Sequence, residues 1–376
     1  MESQPNEVDR RTFLKTGAGA AVAAAGAGAA NAADTQPAEA PRLNGMPMRA
    51  LPRSGRMMPI FGLGTATMSG QYDPRPHEQK AAVVRYAYEQ GVRYFDTAAG
   101  YKTASLLGNA LHDVRENVFL NTKTMSATPE GARKDVETAL AELKTDVIDC
   151  VKLHLPWNYD TAMTVLDELE KMRGEGKIKL LGMSNHVHFE TAYKIIDTGR
   201  LDEVLIARSY FPKGETEILV PRNLEFREMA LARAQELGMN IIGMKALGGF
   251  VFSQLHTMWA PDFEPEKGAK LPAAAIRWAL SDNRFHLYII GCEQQAQIDR
   301  NVRLCGQDLT PTAEDRKLLA EFTSKVWDSE LVKKCPVLYD DPNTPPDMAK
   351  YLQGRKAVME EVVKHASTIW AQQATG

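Results

Sequence analysis

The sequence predicts an eight-stranded parallel α/β barrel, a (β/α)8 fold, over roughly residues 59–305. Short apolar runs alternate regularly with longer amphipathic stretches, and this alternation is typical of parallel α/β folds. The apolar runs are continuous, which suits strands buried on both faces. A doubly wound open sheet is the alternative fold, but the first strand of such a sheet is usually followed by a G-x-G-x-x-G turn. The segment GLGTATMSG at 62–70 lacks that spacing.

The strands begin with a predicted hairpin. The segment MRALPRSGRMMPI predicts two short strands around Ser54 and Gly55, which would close the bottom of the barrel. The predicted barrel strands are 60–66, 92–97, 118–123, 147–154, 178–184, 203–209, 240–246 and 287–292.

The helices are predicted from amphipathic spacing and from capping residues. Thr128 precedes Pro129, the pattern of an N-cap followed by proline in the first helical turn. Another helix ends at Gly174, with Lys171 and Arg173 in its last turn, where cations suit the helix dipole. The predicted helices are 77–90, 103–113, 129–143, 160–174, 187–198, 222–237, 271–281 and 294–304.

Composition changes along the chain predict the domain organisation. Residues 33–45 are rich in Pro and Ala and predict a linker. The barrel domain is expected at 46–310, followed by a helical extension at 311–376 that is broken by a Pro/Asp-rich segment at 339–347.

Residues 1–32 resemble a twin-arginine signal peptide. Arg10 and Arg11 are followed by Phe-Leu-Lys and a weakly hydrophobic Ala/Gly run, and Ala30-Asn31-Ala32 fits the small-x-small cleavage rule. An Ala-rich tail or a membrane anchor is the alternative, but the run is too short and too weakly apolar for a good transmembrane helix. We therefore expect the twin-arginine export machinery as a partner, cleavage after Ala32, a periplasmic or exported protein, and no stable membrane insertion after cleavage.

The overall composition argues against several classes of protein. The 45 basic and 48 acidic residues are mixed throughout and give a net charge of −3, so nucleic acid is not an expected partner. The four cysteines lie far apart without a CxxC motif, which disfavours a zinc ribbon or an iron–sulfur cluster. Disulfides stay possible in an oxidising compartment.

Four polar residues fall where a barrel places its active site, at or just beyond the C-terminal ends of strands. They are Asp96, Tyr101, Lys123 and His154. Each alone could be a turn, rim, solvated or core residue, but three consecutive strands would bring them to one mouth. Lys123 and Asp96 should pair, and the ammonium is expected to lower the pKa of Tyr101 from about 10. Such a tyrosine could donate a proton to a carbonyl, with electrons from a cofactor.

The motifs FDTAAGY, NTK, KLHLP and LGMSN, in this order, resemble those of the aldo-keto reductases over about 250 residues. The resemblance implies a metal-free (β/α)8 enzyme that reduces an aldehyde or ketone with NADPH or NADH. It implies that Tyr101 is the proton donor, that Lys123 and Asp96 tune it, and that His154 orients the substrate carbonyl.

The same resemblance implies a set of cofactor-binding residues. Ser184 and Asn185 match the pair that holds the nicotinamide carboxamide. Gly291, Gln297 and Asn301 match positions that hold the adenosine phosphate end of the cofactor, and the helix that starts there would offer N–H groups to the phosphates.

The chain also departs from the family pattern. Ala207 stands where a glutamine commonly contacts the nicotinamide. Met244 stands where a tyrosine often stacks on the nicotinamide ring, and Met244-Lys245 resembles a branch with an MKPLGG-like motif, so both residues are expected at the cofactor. Some members of that branch add a Cys-rich cluster domain, which we expect to be absent here because the extension has only Cys335. Gln297 replaces a usual arginine, so the preference between NADPH and NADH stays open.

Two alternatives and the substrate are left open by the sequence. A non-redox binding or cofactor-sensing protein could use the same barrel. A metal-dependent hydrolase is disfavoured, because the histidine pair His186 and His188 is predicted to be a loop feature near the substrate rather than a metal site.

The loops that contact the substrate are expected at 210–221 and 248–270 and in the C-terminal segment. Their aromatic residues Phe250, Phe252, Trp259 and Trp327 fit either an apolar or ring-bearing carbonyl or ordinary core packing.

Overall fold

A computed structural model describes residues 41–337 and 348–374 of the chain. The predicted signal segment 1–32, most of the linker and the Pro/Asp-rich break lie outside the described residues. Within the described ranges, no helix is both long and apolar enough to cross a membrane.

The predicted N-terminal hairpin is present and closes the bottom of the barrel. A two-residue strand β1 (Arg42–Leu43), which lies in the predicted linker and was not predicted, pairs antiparallel with β2 (Met46–Leu51). The hairpin itself is formed by β2 and β3 (Arg56–Pro59), which also pair antiparallel. Leu51 and Met58 are buried in one cluster with the barrel residue Phe119. The hairpin therefore plugs the end of the barrel that is opposite the C-terminal ends of the strands.

The eight-stranded parallel barrel is confirmed. Its strands are β4 (Phe61–Gly64), β5 (Tyr94–Asp96), β6 (Phe119–Thr124), β7 (Ile148–His154), β8 (Ile178–Asn185), β9 (Glu203–Ala207), β10 (Asn240–Met244) and β11 (Leu287–Gly291). They close in the order β10-β11-β4-β5-β6-β7-β8-β9. The register pairs Asp96 with Asn121, Lys123 with Lys152, and His154 with Ser184, so these strand ends meet at one mouth.

The helices agree closely with the predicted spans. They are α1 (His77–Glu89), α2 (Ala104–Leu111), α3 (Pro129–Leu143), α4 (Tyr159–Gly174), α5 (Phe189–Asp197), α6 (Pro221–Glu236), α7 (His256–Trp259), α8 (Pro265–Gly268), α9 (Leu271–Leu280), α10 (Gln295–Cys305), α11 (Ala313–Trp327), α12 (Glu330–Lys334) and α13 (Met348–Ala374). The Thr128 side chain accepts a hydrogen bond from the Gly131 N–H, which confirms the predicted N-cap of α3.

The C-terminal helices are present and pack on the 248–270 segment. Phe252 and Trp259 are fully buried in one cluster with Phe322 of α11 and Val358 of α13. Trp327 is partly buried, and its ring centre lies 4.7 Å from that of Phe211. Core packing, rather than an aromatic rim, therefore accounts for most of the aromatic residues in these segments.

All four cysteines are buried and unpaired. They are Cys150, Cys292, Cys305 and Cys335.

Candidate active site

The loop after β5 carries Tyr101 back over the end of the barrel. A short 3₁₀ turn spans Ala99–Tyr101, and Lys102 then takes the left-handed conformation with φ 58°. Small residues before Tyr101 permit this tight return. The ring centre of Tyr101 consequently lies 5.0 Å from the Lys123 ammonium, and 5.7 Å from the ring centre of His154 in an edge-on contact.

Asp96 and Lys123 form the predicted ion pair. Lys123 donates one hydrogen bond to Asp96 Oδ1 and another, of 2.8 Å, to the Thr97 carbonyl. Both charged residues are buried. Because burying either charge alone would be costly, the pair is held together by its own electrostatics.

The predicted lowering of the Tyr101 pKa is wrong. Burial raises the pKa of Tyr101 well above 10, and the negative charges of Asp96 and Glu215 raise it further. The Lys123 ammonium does not reverse this because its charge is opposed by the adjacent Asp96 carboxylate. Tyr101 is therefore a protonated phenol at neutral pH, which is the form that can donate a proton.

His154 is uncharged at neutral pH. Burial lowers the pKa of His154 to about 3, and the nearby Lys123 cation lowers it further. Its Nδ1 atom is buried without a hydrogen-bond partner in the described part of the chain. A neutral imidazole carries one N–H, so His154 can donate one hydrogen bond to an oxygen placed beside Tyr101.

A cavity of about 830 Å³ lies at this mouth of the barrel. Asp96, Tyr101 and Lys123 line it, and His154 contacts Tyr101 beside it. Five of the predicted cofactor residues also line this cavity. They are Met244, Lys245, Gly291, Gln297 and Asn301.

The other two predicted cofactor residues are not among those lining the cavity. Ser184 is fully buried beside His154 in the sheet register, and its Oγ has no hydrogen-bond partner among the described residues. Asn185 uses its amide in its own loop, donating to the His188 carbonyl and accepting from the Val187 N–H. The structure thus places Ser184 next to His154 and gives Asn185 a role in shaping the loop.

The beginning of α10 is partly satisfied by its own side chains. Gln297 Oε1 accepts from the N–H groups of Glu293 and Gln294 at 2.6 and 3.0 Å, and Gln297 Nε2 donates to the Glu293 carboxylate at 2.9 Å. The N–H groups predicted to bind phosphate are therefore not all free, because two of them donate to Gln297. Lys245, Arg300 and Gly291 at the same cavity still offer cationic groups and close backbone approach to a phosphate.

Several charged residues at the cavity were not predicted from the sequence, among them Lys213, Glu215 and Arg355. Lys213 and Glu215 come from the loop after β9, and Arg355 comes from α13. Burial lowers the pKa of Lys213 to about 8. Segment 210–221 was expected to lie near the substrate, and its alternating charges within an apolar stretch were the signal that could have identified the first two.

Of the two histidines predicted to lie in a loop near the substrate, only His186 is among the residues that line the cavity, and His188 packs against Trp157. His186 lines the cavity, and its ring centre is 6.3 Å from that of His154. In the part of the chain that the structure describes, no group of three or more His, Cys, Asp or Glu side chains is placed to hold a metal ion.

Comparison with known proteins places this site in a family. Residues 61–317 match the model of the Aldo/keto reductase family. An L-galactose dehydrogenase of Arabidopsis thaliana is 22% identical over 324 residues, covering 75% of this chain and 97% of that protein. A D-threo-aldose 1-dehydrogenase of a Pseudomonas species is 22% identical over 311 residues, covering 68% and 92%. A methylglyoxal reductase of Escherichia coli O157:H7 is 32% identical over 154 residues, covering 39% and 52%.

Solved structures show the same architecture. The holo form of an aldo-keto reductase from Bacillus halodurans superposes with a TM-score of 0.58 at 18% identity, covering 74% of this chain and 96% of that one. An aldo/keto reductase from Klebsiella pneumoniae in complex with NADP and acetate gives 0.58 at 19% identity, covering 73% and 95%. At these identities the likeness establishes the fold.

Proposed function

The chain belongs to the aldo/keto reductase family, and from this premise we propose that Tyr101 donates the proton when a carbonyl substrate is reduced in the cavity. The protein is an NAD(P)-dependent oxidoreductase that interconverts an aldehyde or ketone and the corresponding alcohol. The observation that carries the assignment of roles is the buried Asp96–Lys123 pair beside a protonated Tyr101 at the cavity wall.

The residues at the cavity fit a nicotinamide cofactor. Met244, Lys245, Gly291, Gln297 and Asn301 would hold it along one side of the cavity. Lys245 would oppose the charge of its phosphates. When bound, the cofactor supplies or accepts the hydride.

The chain's own residues supply the proton and the orientation. The phenol of Tyr101 donates its proton to the carbonyl oxygen as negative charge develops there, and His154 directs a hydrogen bond to the same oxygen. Lys123 lies close enough to stabilise the phenolate that results, while Asp96 keeps the ammonium in place. In the reverse direction, the same phenolate accepts the proton of an alcohol.

The raised pKa of Tyr101 predicts opposite pH profiles for the two directions. Because reduction needs the phenol, its kcat/KM should be level from about pH 6 to 9, which is below the raised pKa. Alcohol oxidation needs the phenolate, whose fraction rises about tenfold per pH unit below the pKa. A plot of log(kcat/KM) for oxidation against pH should therefore rise with a slope of one. Both profiles are measured by nicotinamide absorbance in a series of overlapping buffers.

The pH profiles also test the state of His154. Because the pKa of His154 is about 3, neither profile should bend near pH 6.5. A reduction rate that falls between pH 6 and 8 would contradict a high tyrosine pKa and would place the acid elsewhere.

Two relatives are named as dehydrogenases of aldoses, L-galactose dehydrogenase and D-threo-aldose 1-dehydrogenase. We infer that hydroxylated carbonyl compounds, rather than purely apolar ones, are the first substrates to assay. The Met244-Lys245 motif supports membership of the branch with an MKPLGG-like strand in this position.

We further propose that residues 1–32 direct export through the twin-arginine pathway to the periplasm. In a host with that pathway, we expect the wild-type protein in the periplasmic fraction, beginning at Ala33. The paired substitution Arg10→Lys and Arg11→Lys should leave the uncleaved chain in the cytoplasm, as shown by fractionation and intact mass. Equal export of both proteins, or an exported protein that keeps residues 1–32, would reject the signal.

A further inference from the structure

We propose that α13 completes the substrate pocket, and that Arg355 and Glu215 form a subsite for a hydroxyl group of the substrate remote from the reacting carbonyl. This inference rests on the proposed function, because it concerns what the same cavity selects. α13 begins at Met348, beyond the residues 61–317 that match the family model. Arg355 therefore comes from beyond the matched region, whereas Glu215 lies within it.

The ion pair between α13 and the loop after β9 lies at the cavity. Arg355 Nη2 donates to Glu215 Oε2 at 2.5 Å, and both side chains keep 30% of their surface exposed. Both residues line the same cavity as Tyr101. α13 adds apolar wall on either side of Arg355, with Leu352, Val358, Met359 and Val362 facing that cavity.

The turn that carries Glu215 is rigidly held. The buried carboxylate of Glu217 accepts hydrogen bonds from the backbone N–H groups of Glu215 and Thr216 at 2.8 and 3.0 Å. Its other oxygen accepts from the Tyr351 hydroxyl of α13 at 2.5 Å. A Cβ atom at Gly214 would lie 2.7 Å from the His186 carbonyl, so the turn packs tightly against the loop after β8. Glu217 thus fixes the turn and leaves Glu215 to face the cavity.

Glu215 and Arg355 are close enough to the reaction centre to influence it. The charge of Glu215 contributes to the raised pKa of Tyr101, and both residues act on the pKa of His154. Burial alone would raise the pKa of Glu215, but Lys245 and Arg355 hold it below its usual value, so the residue is ionised. His186, on the same wall, has a buried Nδ1 atom without a hydrogen-bond partner among the described residues.

A hydroxyl group is the ligand chemistry that suits this subsite. It can donate to the Glu215 carboxylate and accept from the Arg355 guanidinium at once. A carboxylate on the substrate would meet the like charge of Glu215. A wholly aliphatic substrate would bury the ion pair without replacing the hydrogen bonds to water that it loses. The substrate class is therefore a carbonyl compound that bears further hydroxyl groups.

The test compares glyceraldehyde with propanal, which lacks the two hydroxyls. For the wild-type enzyme we expect a higher kcat/KM with glyceraldehyde. In Arg355→Met and in Glu215→Gln, the ratio of the two kcat/KM values should fall about 10- to 100-fold, the usual effect of losing a hydrogen bond to a charged group. Tyr351→Phe removes a hydrogen bond between α13 and the turn, and Tyr351 does not line the cavity. The turn keeps its two backbone hydrogen bonds to the Glu217 carboxylate, so this variant should leave the ratio unchanged.

The outcomes separate a binding role from a tethering role. If Tyr351→Phe lowers the ratio as much as Arg355→Met does, the ion pair merely fastens α13 and the subsite is rejected. It is also rejected if the ratio is unchanged in Arg355→Met and Glu215→Gln.

A binding measurement separates this inference from the proposed function. Calorimetric titration with 1,5-anhydro-D-glucitol, a polyol without a carbonyl group, should give binding to the wild-type protein and to Tyr351→Phe, and weaker binding to Arg355→Met. Binding without turnover of any carbonyl compound would reject the proposed function and support the subsite. Turnover of carbonyl compounds without any polyol binding would reject the subsite alone.

Discussion

Substituting Tyr101→Phe is expected to lower kcat for carbonyl reduction by about 10²- to 10⁴-fold, the range for loss of a general acid. The change removes a hydroxyl group and keeps the ring that contacts His154 edge-on and lies beside the Lys123 ammonium. The cavity therefore keeps its shape and loses its proton donor. Nicotinamide absorbance at saturating cofactor and substrate measures the effect.

Tyr72→Phe provides a matched control for this prediction. Tyr72 lines the same cavity, and its hydroxyl donates to Met359 Sδ on α13 at 3.8 Å. Removing that hydroxyl should cost far less activity. Cofactor affinity, measured by quenching of protein fluorescence, should be the same in both variants and in the wild-type protein. Equal losses of kcat in the two variants, or no loss in Tyr101→Phe, would show that the proton comes from another group.

The fold was predictable because each strand and helix carries its own local signal. Continuous apolar runs marked the strands, and capping patterns such as Thr128-Pro129 marked the helix boundaries. The Asp96–Lys123 pair was predictable because the two residues end consecutive strands, so the barrel register alone brings them together.

The electrostatics of Tyr101 was not predictable in the same way. The pKa of Tyr101 depends on burial and on the charge of Glu215, which lies far away in the sequence. The motifs predict that Lys123 lies near Tyr101, but they do not show how far the Asp96 carboxylate offsets the charge of the Lys123 ammonium. Asn185 illustrates a related limit of the sequence. Its amide satisfies backbone groups of its own loop, and a motif match does not reveal such local bonds.

Two residues left no usable sequence signal. The C-terminal segment was expected near the substrate, but no motif in α13 pointed to Arg355 as a residue of the cavity. Lys152 interrupts an apolar strand. Because this strand is buried on both faces, its sequence shows no alternation of apolar and polar residues, and nothing in it indicates that the Lys152 side chain points into the barrel. Glu203, its partner, stands at the beginning of another strand, where the sequence pattern allows an exposed residue.

Lys152→Met is expected to destabilise the protein by about 3–5 kcal/mol, the usual cost of removing one partner of a buried ion pair. Lys152 Nζ lies 2.9 Å from Glu203 Oε1, and neither side chain is exposed to solvent. Without the ammonium, the Glu203 carboxylate would keep the hydrogen bonds from the Tyr94 hydroxyl, at 2.5 Å, and from the Asn240 amide, at 3.2 Å. These donors leave the buried negative charge without a counter-charge.

Neutralising both partners should restore most of the lost stability, because the cost arises from the unpaired charge rather than from the missing contact. In the double variant Lys152→Met and Glu203→Gln, the amide oxygen of the glutamine can still accept from the Tyr94 hydroxyl. Lys325→Met is the surface control, since Lys325 pairs with the exposed Asp262 at 2.6 Å and such pairs contribute about 1 kcal/mol or less. The midpoints of unfolding in guanidinium chloride compare the stabilities of the wild-type protein, Lys152→Met, the double variant and Lys325→Met. If the single and double variants unfold at the same denaturant concentration, the loss comes from packing around Lys152, and the charge pair does not explain its effect.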